Sequence, residues 1–109
     1  MINKHLILQL NLIPGMGPAA IYGYLHRAFP GSVDFLNPES FSTSTESLNK
    51  IKEGLESDTL LRIELELAEK HKIKITTIFE DEYPKLLKQI HLPPPLIYWV
   101  GENLNFENN

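Results

Sequence analysis

Two prolines and two glycines between positions 14 and 18 constrain the fold of this chain more than any other feature of its sequence. Each proline fixes its own φ and has no backbone N–H, while each glycine admits positive φ. Neither a helix nor a strand can therefore run through the segment Pro-Gly-Met-Gly-Pro. Pro18 suits the first turn of a helix, where its missing donor costs nothing. The pattern predicts a tight turn that separates one short element from a helix beginning at about Ala19.

The periodicity of the segment before this turn favours neither regular structure. Leucine occupies every even position from 6 to 12, an alternation that is typical of a strand. Ile2, Leu6, Leu10 and Ile13 are also spaced as on one face of a helix. From the residues alone, both structures remain open.

Helical periodicity continues after the turn. It predicts helices over residues 19–29, 44–53 and 58–72, with a loop over residues 32–42. Thr43 and Glu46 have the spacing of a capping box, so they are expected to open the second of these helices, and Gly54 is expected to end it. Ser57 is expected to cap the third and longest helix.

The remaining third of the chain changes to a period of two. Residues 73–79 and 96–100 alternate as strands, with a turn at residues 80–84 and a short helix over residues 85–90 between them. Two apolar strands are only marginally stable by themselves in water. We therefore expect the sheet to be completed by residues that follow this sequence.

Composition and charge exclude several classes of function. The 109 residues contain no cysteine, which excludes disulfides, thiolate catalysis and cysteine-based zinc sites. A net charge of −4 excludes a highly basic protein that coats nucleic acid. Residues 1–33 contain no acid and residues 34–69 contain nine, so the amino-terminal third is the part expected to attract an anion. No apolar run reaches the ~18 residues of a membrane helix, and we expect a cytoplasmic protein.

The glycine-rich turn is the one candidate binding motif, and it has three interpretations. Gly15, Gly17 and Ala20 match the dinucleotide fingerprint G-x-G-x-x-A, which requires a preceding strand. The turn also fits a helix–hairpin–helix motif, in which free N–H groups at the start of the second helix face a DNA phosphate. The third interpretation is a hairpin used only for packing. The candidate phosphate-binding residues are Gly15, Gly17, Ala19, Lys4 and Arg27.

No residue pattern predicts catalysis or metal binding. The four histidines, at positions 5, 26, 71 and 91, nowhere have metal-ligand spacing. Asp81 and Glu82 are adjacent acids in a predicted turn, where carboxylates are usually solvated. We expect a protein that is not an enzyme and that needs no cofactor.

Three segments carry a resemblance to a known family. They are KIKITT at residues 72–77, EDEYPKLLKQI at residues 80–90 and PPLIYWVG at residues 94–101. An apolar strand, an acid before Tyr-Pro, paired leucines, Pro-Pro and an apolar strand ending in Gly follow one another in this order in the DNA-processing protein A family, also called Smf, which the chain resembles. The turn at residues 13–18, between an apolar segment and a helix, is similar to that family as well.

The resemblance implies an α+β fold that is mainly α. A sterile-alpha-motif-like, helix–hairpin–helix bundle would cover residues 1–72, and the first strands of an incomplete Rossmann-like domain would cover residues 73–101, followed by a polar tail at residues 102–109. Residues 3–12 would then be helical. The expected bundle core consists of Leu6, Leu10, Ile21, Leu25, Phe29, Leu61, Leu65 and Ala68.

The resemblance also implies a function without catalysis. Members of the family bind single-stranded DNA and help to load the recombinase RecA onto it in natural transformation. No nucleotide cofactor and no membrane partner is implied, and a homodimer would form through a region outside this sequence. The family's main DNA site would lie beyond Asn109. The alternatives are a protein-interaction or structural helical domain without DNA binding and, third, a fragment of a dinucleotide-binding enzyme.

The charge of the amino-terminal third also predicts the affinity of the chain for single-stranded DNA. With only Lys4 and Arg27 as full positive charges in its amino-terminal third, the chain is expected to bind single-stranded DNA with a Kd of about 10⁻⁴ M or weaker near physiological salt.

The two aromatic pairs, Tyr83-Pro84 and Tyr98-Trp99, are expected to pack and not to bind a ligand. Base-stacking platforms need neighbouring cations, whereas acids at positions 81, 82 and 102 are the nearer charges in the sequence. Of Tyr98 and Trp99, one is expected to face the helices and the other the opposite side of the sheet.

Overall fold

A computed structural model describes residues 2–37, 39, 41 and 44–101. Within them the chain is mixed α/β and mainly helical, with one two-stranded antiparallel sheet, which confirms the coarse class of the predicted fold. No described helix combines the length and the apolar character that a membrane span requires. The elements in chain order are α1 (Lys4–Leu12), α2 (Pro18–Ala28), α3 (Thr45–Leu55), α4 (Thr59–Lys70), β1 (Lys74–Thr77), α5 (Lys85–Lys88) and β2 (Leu96–Trp99).

The segment before the turn is a helix, as the resemblance predicted. The Oδ1 of Asn3 accepts a 2.9 Å hydrogen bond from the N–H of Leu6 and so caps the first turn of α1. Ile13 ends the helix in an extended conformation, as expected for the residue before a proline. Because a helix precedes Gly15, the strand that the dinucleotide fingerprint requires is not found there.

The boundaries of α3 and α4 differ from those predicted. Ser44 caps α3 through a hydrogen bond that its Oγ accepts from the N–H of Ser47, and Thr43 lies outside the described residues. Gly54 does not end α3, which continues through Leu55. At α4 the N-cap position belongs to Asp58, although the Oγ of Ser57 does accept a hydrogen bond from the N–H of Thr59.

The sheet is shorter than the alternating pattern suggested. Its register pairs Ile75 with Tyr98 and Thr76 with Ile97. After Thr77 the backbone turns, since the N–H of Glu80 donates to the Thr77 carbonyl at 3.0 Å, and this turn ends β1 before the predicted limit at residue 79. Helix α5 likewise ends at Lys88 and not at residue 90.

One hydrophobic core runs through the helices and the sheet. All eight predicted core positions are buried or pack against it, and Ile75, Ile78, Tyr83 and Leu96 join the same cluster. No break in this core separates residues up to 72 from those after 73. The buried members are Ile7, Leu8, Leu10, Ile13, Ile21, Tyr22, Leu25, Val33, Leu36, Ile51, Leu61, Ala68, Ile75, Ile78, Tyr83 and Leu96.

Two tyrosine hydroxyls fasten the proline-rich segment before β2. Tyr22 on α2 donates a 2.7 Å hydrogen bond to the carbonyl of Pro93, and Tyr83 donates a 2.8 Å bond to the carbonyl of Pro94. Burial raises the pKa of Tyr83 to about 12, and burial followed by the nearby Tyr83 raises the pKa of Tyr22 further above its ordinary value. Both phenols therefore remain neutral donors at ordinary pH. The prediction that Tyr83-Pro84 packs is confirmed.

Candidate nucleic-acid interface

The predicted tight turn between α1 and α2 forms, but only one of its glycines is required by the backbone conformation. Gly15 has a φ of 80°, in the left-handed region that favours glycine. Gly17 has an extended conformation, with φ −95° and ψ −179°, which any residue can adopt. A hydrogen bond of 3.2 Å from the Met16 N–H to the Ile13 carbonyl closes the turn, and Pro18 begins α2 as predicted.

Among the described residues, the amino terminus of α2 has a free backbone N–H donor but little positive side-chain charge beside it. Gly17 supplies no side-chain cap, and Pro18 removes one backbone N–H from the first turn. The N–H of Ala19 makes no hydrogen bond within the described residues. The cation that lines the cleft beside Pro14 is Lys50, and it shares that cleft with Glu53 and is paired with Glu46 at 3.7 Å. The charged side chains that line this cleft are therefore of opposite sign.

The five candidate phosphate-binding residues do not converge. Lys4 lies at the opposite end of α1 from the turn, about 12 Å along the helix axis from Leu12. Its ammonium is paired with the Glu80 carboxylate at 3.2 Å. Arg27 lies at the last turn of α2, about 14 Å along the axis from Pro18. Gly15, Gly17 and Ala19 are thus together at the turn, and both cations are remote from them.

The Lys4–Glu80 pair instead protects the edge of the sheet. The Glu80 carboxylate accepts a 2.6 Å hydrogen bond from the N–H of Thr77, a donor on β1 that does not face β2. Burial alone would raise the pKa of Glu80, but the Thr77 N–H and the Lys4 ammonium outweigh it and hold the pKa below its ordinary value. Glu80 thereby satisfies a backbone donor that β2 does not reach.

A basic cluster that sequence reasoning missed lies between the end of α4 and the start of β1. Residues 70–74 read Lys-His-Lys-Ile-Lys and contain no acid. Among the described residues, Lys70, Lys72 and Lys74 take part in no ion pair, whereas Lys4, Lys50 and Arg62 are each paired with a carboxylate. The signal was present in the sequence, but the run crosses the boundary between the predicted helical and strand regions and was divided between them.

Trp99 belongs to this cluster. Trp99 and Lys74 are directly opposite in the register of the sheet, and the Lys74 ammonium lies 4.7 Å from the centroid of the indole ring. The indole N–H donates a 2.9 Å hydrogen bond to the Thr76 hydroxyl. The argument that acids are the nearer charges is therefore wrong for Trp99, because strand pairing brings a lysine that is distant in sequence onto the ring.

Tyr98 and Trp99 take opposite sides of the sheet, as predicted. The Tyr98 hydroxyl donates a 2.8 Å hydrogen bond to the Glu64 carboxylate on α4, so Tyr98 faces the helices. Burial, with Glu64 as the next cause, raises the pKa of Tyr98 above its ordinary value. Trp99 is left on the face away from the helices, where it is partly exposed.

No group of histidine and acidic side chains within the described part of the chain is arranged to hold a metal ion. No protein family, curated protein or solved structure matches the chain.

Proposed function

We propose that this chain is the amino-terminal portion of a cytoplasmic DNA-processing protein A homologue, a protein without catalytic activity that binds single-stranded DNA and helps to load RecA. The proposal rests on the segments at residues 72–77, 80–90 and 94–101 that carry the resemblance. In this interpretation residues 1–72 are the sterile-alpha-motif-like bundle and residues 73–101 begin a Rossmann-like sheet. Dimerisation, if the longer protein has it, belongs to other parts of that protein.

The observation that supports the proposal best is the structural use of the resembling residues. Tyr83 and the prolines at 93–95 form the joint between the helices and the sheet, held by the two tyrosine hydrogen bonds to Pro93 and Pro94. Pro93 and Pro95 are fully buried at this joint. These residues hold the helices against the sheet. A structural role of this kind is enough to account for the pattern of Tyr-Pro, Pro-Pro and apolar strand that the chain shares with the family, and no catalytic role is needed.

The experiment is a titration of a fluorescent single-stranded oligothymidine with the purified chain, followed by anisotropy at ~20 mM salt, where charge interactions are weakly screened. Binding that weakens with added salt supports the proposal. Absence of binding at ~20 mM salt, a condition that favours any phosphate contact, contradicts a DNA-binding role for this portion.

A protein-interaction domain is the second candidate, and helix α4 favours it. Leu60, Ile63 and Leu67 recur at helical spacing and are 55%, 49% and 45% exposed. An apolar stripe of this kind on a helix is a common docking surface for a partner. An Ile63→Asp substitution that abolishes a measured partner interaction, and leaves oligothymidine binding intact, would favour this function over the first.

A further inference from the structure

The outer face of the sheet combines an aromatic ring with unpaired cations. We name the lysine–tryptophan face the surface formed by Trp99 and by the exposed lysines Lys72 and Lys74, with the buried Thr76 supporting the indole. Lys74 and Trp99 are paired across the strands, and Thr76 accepts the indole N–H. The one donor of the indole is thereby satisfied, and the ring is held by two contacts, from Lys74 and Thr76. Such preorganisation lowers the cost of ordering the site when a ligand binds.

The charges on this face are concentrated in a short length of chain. One residue separates Lys72 from Lys74, so their Cα atoms lie at most about 7 Å apart. Lys70, at the end of α4, is a third lysine of this segment, and its Cα atom lies at most about 14 Å from that of Lys74. Glu69 adjoins Lys70 but forms no ion pair with it in the described part of the chain. Glu64 faces the other side of the sheet, where it binds Tyr98.

We propose that single-stranded DNA docks on the lysine–tryptophan face, with a base against the Trp99 indole and backbone phosphates on Lys72 and Lys74. Aromatic rings beside lysines bind single strands because every base has a stacking face and every nucleotide has a phosphate. A partner must therefore be both anionic and aromatic to use the whole surface. The proposal rests on the proposed function for its choice of DNA, and it assigns binding to a site other than the hairpin.

Trp99 is the only tryptophan of the chain, so its fluorescence reports directly on the proposed site. Titration with oligothymidine at ~20 mM salt should quench this emission as a base stacks on the ring. Heparin, a polyanion without bases, should bind through the lysines with little quenching. Equal quenching by heparin and oligothymidine would overturn base stacking on Trp99.

Substitutions separate stacking from charge. Trp99→Leu, which keeps an apolar side chain, should weaken oligothymidine binding about tenfold by anisotropy, and Trp99→Phe should weaken it less. Lys72→Gln and Lys74→Gln should each reduce the slope of log K against log salt by about 0.7. Lys52→Gln is the matched control, because Lys52 is an exposed lysine on α3 with no ion pair among the described residues.

The outcomes distinguish this inference from the proposed function. If the wild-type chain binds oligothymidine and neither the Trp99 nor the lysine substitutions change the affinity, the inference is wrong and the proposed function stands. If the wild-type chain does not bind at all, both fail. Thermal unfolding of each variant establishes that it is folded at the assay temperature, and Trp99→Phe provides the comparison should Trp99→Leu unfold.

Discussion

The hydroxyl of Tyr22 donates a 2.7 Å hydrogen bond to the carbonyl of Pro93, a residue 71 positions later in the chain. Both residues are buried, and Pro93 lies in the segment that leads into β2. The bond therefore connects the second helix of the bundle to the sheet. Because the two residues are far apart in the sequence, removal of this bond tests whether the helices and the sheet fold as one unit.

Replacement of Tyr22 by Phe should destabilise the chain by about 1–3 kcal/mol, because the buried Pro93 carbonyl loses its partner in a place that water does not reach. Urea unfolding followed by circular dichroism measures the change. Tyr24→Phe is the matched control, since Tyr24 lies on the same helix and its hydroxyl has no hydrogen bond within the described residues. Equal effects of the two substitutions would show that the Tyr22–Pro93 bond contributes nothing.

Gly54 should not tolerate a methyl group while Ile13 is present. A Cβ at position 54 would lie 2.5 Å from Cγ1 and 2.6 Å from Cδ1 of Ile13, so the Ile13 side chain would have to move within the core. We expect Gly54→Ala to destabilise by about 1–2 kcal/mol despite the better helix propensity of alanine.

The sign of this effect should reverse when Ile13 is shortened. In an Ile13→Ala background the clash is absent, and Gly54→Ala should then stabilise by up to about 1 kcal/mol through helix propensity alone. The double-mutant cycle is measured by urea unfolding. Identical effects of Gly54→Ala in the two backgrounds would contradict the close approach of α1 and α3.

Acid should weaken the chain in part through Glu80. Because the folded-state pKa of Glu80 lies below the ordinary 4.5, its contribution is fully present above that value and is lost as the pH falls through the folded pKa. Glu80→Gln should cost about 1 kcal/mol near neutral pH, and the difference from wild type should shrink as the pH falls below about 4. Unfolding free energies across this range test it.

The control for Glu80 is Glu82→Gln, an exposed neighbour without a hydrogen bond or ion pair in the described residues. It should leave the free energy of unfolding near neutral pH unchanged. A Glu80→Gln variant as stable as wild type at neutral pH would show that the Thr77 N–H does not depend on this carboxylate.

The hairpin and the two cations assigned to it should not contribute to DNA binding. Lys4→Gln and Arg27→Gln should leave oligothymidine affinity unchanged within error, because both cations are remote from the turn and Lys4 is already paired with Glu80. At ~150 mM salt the wild-type Kd should be about 10⁻⁴ M or weaker. A marked loss of affinity in either variant would show that the substituted cation contacts DNA, and sub-micromolar binding at that salt would contradict the expected weak affinity.

Local sequence rules correctly predicted the elements whose ends are marked by proline or glycine. The turn at residues 13–18 and the start of α2 at Pro18 follow from proline and glycine, which restrict the backbone wherever they occur. The same local rules failed at Gly54, which they predicted to be the end of α3. Its position is explained by Ile13, the residue that follows α1, whose side chain needs the space that a side chain at position 54 would fill.

Periodicity left the segment before the turn open between helix and strand. The sequence by itself did determine the tight turn, the order of the helices and strands after it and eight positions of the core. These follow from periodicity and from backbone restrictions, both of which act over a few residues. Only the tertiary structure decided which charges meet. It paired Lys4, a predicted phosphate ligand, with Glu80, and it brought Lys74 onto Trp99. Electrostatic and aromatic contacts depend on distance in space, and strand pairing and helix packing set that distance for residues far apart in the chain.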